Sequence, residues 1–118
     1  MLLRSPDAET YQRAIVAADV VLCARADSVG ESNGPLLDAI GAGRPSLVTD
    51  VGSASELAGE SAVVVTPTLR GIRDGIDALL DTDERRRRAA SARSLAREFS
   101  AERVAAQHAA VFTSLGWA

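Results

Sequence analysis

The chain has 118 residues, 13 of them basic and 16 acidic, for a formal net charge of −3; 47% are hydrophobic and 25% charged. This is the composition of one globular domain, with no charge field to draw it to nucleic acid or to an anionic membrane and no apolar run near the roughly 20 residues a membrane-spanning helix needs. A single cysteine, Cys23, excludes an internal disulfide and makes a reducing, cytoplasmic compartment the expectation, and Met1 to Pro6 lack the pattern of a secretory leader.

The predicted elements alternate between helix and strand. Residues 7–18 read as a helix with Asp7 as N-cap, Glu9 in its first turn, and Tyr11, Ile15 and Ala18 on one face. Residues 19–23 are a short apolar run, the pattern of a strand buried on both faces. An aperiodic loop over 24–33 follows. A helix over 34–42 starts from Ser32 or Asn33 as cap with Pro35 in its first turn, and Gly43 and Pro45 stop it. A strand at 46–49, a helical turn at 55–58 and a buried-type strand at 62–66 come next. Helices at 69–80, 83–98 and 101–115 complete the chain; Ser100 caps the last, with Arg103 where a capping-box Glu would stand.

This order predicts an α/β fold, a Rossmann-like three-layer half-domain with a short parallel sheet of about three strands and C-terminal helices. A complete doubly wound sheet has about five or six strands. The strand at 19–23 is therefore expected to keep an unpaired edge, to be covered by an upstream segment, a partner chain or a second copy in a homodimer.

The chemistry concentrates in residues 30–50. Ligands of open α/β sheets bind outside the carboxyl ends of the strands, which is where the 24–33 loop leaves the first strand and launches a helix at Asn33, Gly34 and Pro35. A helix N-terminus offers N–H groups and partial positive charge to a phosphate, and Gly34 permits close approach of a ligand to the backbone. Glu31, just before it, and Asp38, one turn after Gly34, are acceptors for sugar hydroxyls. Arg25 is placed to neutralise a phosphate or to serve as a surface residue. Asp27 and Ser28 shape the loop, and Asp50 and Ser53 stand on the same side of the sheet. Anion donors flanked by two hydroxyl acceptors fit a nucleotide-diphosphate sugar; a Gly-Pro helix start with an acidic neighbour and no ligand is the alternative.

The run from Tyr11 to Phe112 resembles the C-terminal region of retaining glycosyltransferases of the GT-B type, glycosyltransferase family 4. The resemblance is carried by Ala17-Ala18-Asp19-Val20, Glu31-Ser32-Asn33-Gly34, Ala42-Gly43-Arg44-Pro45, Thr49-Asp50-Val51-Gly52 and Glu56, in that order. Asp83 to Arg87, Glu98-Phe99-Ser100 and Glu102-Arg103-Val104 add to it. The resemblance implies that residues 1–118 are a partial C-terminal nucleotide-sugar-binding domain, transferring sugar with retention from a nucleotide-diphosphate donor to an acceptor, without metal or other cofactor. Glu31 matches the first Glu of the family's Glu-x7-Glu motif, which contacts the donor sugar, and is the implied catalytic residue. Ser32, Asn33 and Gly34 fall where the backbone meets the diphosphate. Asp38 takes the place of the second, ribose-binding Glu, with six residues rather than seven between it and Glu31. The family's upstream Lys or Arg, its Gly-rich loop and its acceptor domain have no counterpart here, so the chain alone is expected to be inactive without an N-terminal domain or partner chain. The rival reading is a non-catalytic α/β binding or assembly module, a subunit or remnant of a split transferase. Elsewhere Arg85–Arg88 read as a solvated helix face, His108 as a surface or packing residue, Cys23 as a small core residue, and Trp117 as a contact for another domain.

Overall fold

The computed structural model describes residues 2–117. Helix α1 (Ala8–Ala17) starts where Asp7 accepts the N–H of Thr10 at 2.7 Å, as the sequence predicts. Strand β1 (Val21–Cys23), helix α2 (Gly34–Gly41), strand β2 (Ser46–Thr49), helix α3 (Ala54–Ala58), a 3-10 turn (Gly59–Ser61) and strand β3 (Ala62–Val65) follow. Helices α4 (Leu69–Leu79), α5 (Thr82–Glu98) and α6 (Ala101–Ser114) close the order. Two further caps drawn from ordinary capping chemistry fix α4 and α5: Thr68 accepts from Gly71 and Asp81 from Glu84.

Among the described residues the sheet has the order β1-β2-β3 with every pairing parallel, Val21 opposite Ser46 and Ser46 opposite Ala62. The fold class is therefore the α/β, Rossmann-like half-domain that the alternation predicts. Successive side chains of β2 point to opposite faces, and all four are buried. On one face Val48 packs with Leu36, Ala39 and Ile40 of α2 and with Ala54 and Ala58 of α3. On the other, Leu47 meets α4 at Gly75, where an added Cβ would stand 2.5 Å from Leu47 Cδ1 and 2.8 Å from Val65 Cγ1. Only a glycine lets the helix lie this close to the sheet.

The α2–β2 turn is a Schellman motif: Arg44 N–H donates to Ala39 C=O and Gly43 N–H to Ile40 C=O, with Gly43 at φ +66°. Two strand expectations need correction. The first strand begins at Val21, not residue 19, and it is not buried on both faces, since Leu22 is 52% exposed between buried Val21 and Cys23. The reason is the placement of α4, which packs mainly on β3 and β2 and leaves Leu22 of β1 only half covered. An apolar cavity of about 220 Å³ between Val20, Leu22, Ile76 and Leu80 marks the uncovered strip. Val64 of β3 is likewise 38% exposed. No helix among the described residues is long and apolar enough to cross a membrane.

Candidate functional site

Two buried polar side chains bind the loop after β1 to the sheet. Thr49, at the carboxyl end of β2 and 2% exposed, accepts the Arg25 N–H at 2.8 Å and donates to the Arg25 C=O at 2.7 Å. One hydroxyl thus satisfies both backbone groups of the first residue past Ala24. At the far end of the loop, Asn33 is 4% exposed and does two jobs. Its Oδ1 caps α2 by accepting from Leu36 N–H at 3.2 Å, and its Nδ2 donates to Cys23 C=O at 3.4 Å. Asn33, rather than Ser32, is therefore the cap, and it also ties the helix start back to the strand end.

Glu31 gathers the middle of the loop. Its Oε2 accepts from Val29 N–H at 2.8 Å and from Ser28 Oγ at 3.2 Å, while Oε1 pairs with the Arg25 guanidinium. Arg25 also donates to Ser32 C=O at 3.4 Å. Backbone N–H groups, its own first and then that of Val29, hold the Glu31 carboxyl below its ordinary range, and Ser28 and the charge of Arg25 add to this. Glu31 is thus an ionised acceptor at neutral pH, solvent-facing, at the carboxyl side of β1. Gly52 lies under the loop with φ +61°, where an added Cβ would stand 2.5 Å from Ser28 Oγ. The β2–α3 connection can approach the loop this closely only without a side chain there.

The start of α2 offers fewer anion donors than a helix N-terminus usually does. Pro35 has no N–H, Leu36 N–H is taken by Asn33, and Leu37 N–H by Asn33 C=O at 3.1 Å. Gly34 N–H is the one left among the described residues, and the space a Cβ would fill at Gly34 is open. Asp38 does not stand free beside it: Tyr11 of α1 donates its hydroxyl to Asp38 Oδ2 at 2.8 Å. Burial first, and then the bond to Asp38, raise the Tyr11 hydroxyl above its ordinary pKa, which keeps it a donor. The structure therefore brings Arg25, Glu31 and Ser32 into one hydrogen-bonded group, sets Asn33 beneath it as a buried support, and joins Asp38 to α1.

Tyr11 and Thr49 are the residues that sequence reasoning missed here. Tyr11 is legible only as an apolar-face residue of its helix, and Thr49 as the end of a buried strand and the first residue of the Thr49–Gly52 motif, with no partner named for its hydroxyl; a hydroxyl at a strand's carboxyl end is the available signal. The other sequence candidates sit apart. Asp50 is exposed. Arg87 and Arg88 pair with Glu84 and Glu60, and Arg88 also donates to Ala62 C=O at 2.8 Å, so this basic run docks α5 against β3. Arg85 donates to Leu79 and Leu80 C=O at the end of α4, where cations are favoured. His108 is exposed with its ring nitrogen on Val104 C=O. Burial pushes the Cys23 thiol up to about 11, so it stays neutral and inert. Among the described residues no three His, Cys, Asp or Glu side chains are grouped to hold a metal. No family model, curated protein or solved structure matches the chain.

Proposed function

We propose that the chain is the donor-binding portion of a glycosyltransferase that moves a sugar from a nucleotide-diphosphate donor to an acceptor held by another domain or chain, with retention at the anomeric carbon. The observation that carries this is Glu31: an ionised, solvent-facing carboxylate fixed by Val29, Ser28 and Arg25 at the carboxyl side of the sheet, next to the start of α2. A carboxylate has about four acceptor positions, so Glu31 can receive sugar hydroxyls while keeping its loop contacts. Ser32 and Asn33 then set the approach to Gly34, whose open N–H faces the diphosphate. When the bond from the anomeric carbon to the diphosphate oxygen breaks, negative charge grows on the leaving group. The Gly34 N–H and the Arg25 guanidinium stabilise it there, and that differential contact is the catalytic contribution. Asp38, held by Tyr11 on one oxygen, has its other oxygen for a ribose hydroxyl.

The test is ligand-observed NMR of the chain with UDP-, GDP- and ADP-sugars, beside Glu31→Ala and Asp38→Ala. Binding that weakens in the Glu31 variant is the expected result and names the nucleotide. No binding of any donor at millimolar concentration sinks the proposal. A second reading, a non-catalytic assembly module, is favoured by one separate observation: among the described residues the outer edge of β1 is unpaired, with Leu22 exposed beside it.

A further inference from the structure

A second concavity opens at the carboxyl ends of the same strands, on the side of Arg25 towards α4. It has a volume of about 270 Å³, and its apolar walls are Ala24, Ala26, Pro67, Leu69 and Ile72. Its floor is Thr49. The hydroxyls at hand are already engaged: Thr49 Oγ1 holds the Arg25 backbone, and Thr68 Oγ1 caps α4 on Gly71 N–H at 3.0 Å. Thr68 Oγ1 also bonds Thr66 Oγ1 at 3.1 Å, so the lining leaves few open hydroxyl positions for a sugar. Arg25 is the one charged group in the lining. Of the five donors of a guanidinium, it directs one to Glu31 and one to Ser32 C=O, so others remain for a ligand. Leu69, on the rim, is 89% exposed.

We propose that this cavity is a subsite for a compact apolar group carrying an anion, on the scale of an aryl phosphate. The apolar group fills the space between Ile72, Pro67 and Leu69, and the anion sits on Arg25. Pockets that enclose whole small ligands run from about 300 Å³ upward, so this one takes part of a molecule. Arg25 lines this cavity and also pairs with Glu31, so in the proposed subsite its remaining guanidinium donors take the anion. The subsite does not depend on the donor reading. Joined to it, the shared chemistry has two sources: the aromatic end of a nucleotide, or the apolar end of a phosphorylated acceptor.

The experiment is a titration of isotope-labelled chain followed by NMR, with phenyl phosphate, inorganic phosphate and UMP as probes. Phenyl phosphate is expected to shift Ala24, Ala26 and Ile72 saturably, about tenfold more tightly than inorganic phosphate, because only the former buries an apolar ring. Arg25→Gln and Leu69→Asp are each expected to weaken it about tenfold; Leu69 is exposed enough that its variant keeps the fold. If UMP shifts the same residues, the subsite belongs to the nucleotide; if only phenyl phosphate does, it belongs to the acceptor. Equal binding of phenyl phosphate and inorganic phosphate overturns the proposal, as does binding indifferent to both variants. Failure of the donor reading shows separately, as nucleotide sugars that leave Ser32, Gly34 and the Glu31→Ala comparison unchanged.

Discussion

Replacing Asn33 by Ala removes two bonds from a side chain that is 4% exposed. The first is the cap on Leu36 N–H, and loss of such a cap costs about 1 kcal/mol. The second is the donation to Cys23 C=O. The Cys23 carbonyl keeps its place in the β1–β2 ladder, where Cys23 stands opposite Val48, so only the net contribution of this long 3.4 Å bond is lost, about 1 kcal/mol at most. The expected destabilisation is therefore up to about 2 kcal/mol, a roughly thirtyfold fall in the folded-to-unfolded ratio. Asn33→Ser keeps a capping oxygen and has no amide to reach Cys23, so it should lose about half as much. Urea unfolding followed by far-ultraviolet circular dichroism measures both, and an unchanged slope keeps the comparison on stability alone. If Asn33→Ala costs under about 0.5 kcal/mol, or if Ser and Ala are equivalent, Asn33 is not the tether that joins α2 to β1. Hydrogen exchange at Leu36 N–H gives a local check, since only the Ala variant should release it.

Two further perturbations set opposed effects against each other. Gly75→Ala gains about 1 kcal/mol of helix propensity, yet its Cβ enters contacts of 2.5 and 2.8 Å with Leu47 and Val65. Overpacking costs about 1–3 kcal/mol, so the urea midpoint should fall; a rise would mean that α4 moves away from the sheet freely. Glu31 has a folded pKa below its unfolded one, so its contribution to stability is present above the ordinary carboxylate range and is lost as pH falls through the folded value. Because backbone N–H groups lead the shift and Arg25 comes last among its causes, Arg25→Gln should raise the Glu31 pKa only part of the way back, as read by carboxyl-carbon NMR. Full return to the ordinary value would put the ion pair first and refute that order.

What the sequence made legible follows from where each signal is local. Caps are short-range, and Asp7 and Ser100 were readable as such because an Asx or Ser side chain reaches only the next turn. The order of strands and helices was readable from period alone. Long-range pairings were not. Nothing near Asp38 in the chain announces Tyr11, 27 residues away, and nothing near Arg25 announces Thr49, 24 residues away. The exposure of Leu22 was hidden for the same reason: an apolar strand residue reads as buried until the helix meant to cover it is found over the neighbouring strands. For the candidate site, sequence gave the acidic and glycine positions, while the thinning of donors at α2 required knowing that Asn33 turns its own side chain onto Leu36.

The exposed surface supplies the last step. A compact monomer of 12.3 kDa is expected to expose about 6,100 Å², whereas this chain exposes 7796 Å². Its radius of gyration is 15.9 Å, against about 13.5 Å for a compact chain of this length. The excess, roughly 1,700 Å², exceeds the ~800 Å² one partner contributes to a standard interface. It lies on identifiable faces. No described residue of α6 is buried; Val111 and Leu115 are each 55% exposed, and Trp117 stacks on Phe112 at 5.8 Å while staying 73% exposed. The β1 edge is the other face, with no proline, bulge or charge in Val21–Cys23 to guard it. Self-association through such faces predicts a sedimentation mass above 12.3 kDa that rises with concentration. Leu22→Lys should lower it if β1 is the contact, and Val111→Glu if α6 is. A monomer at every concentration, with both variants silent, would refute self-association and leave an upstream segment or a different chain as the cover for these faces.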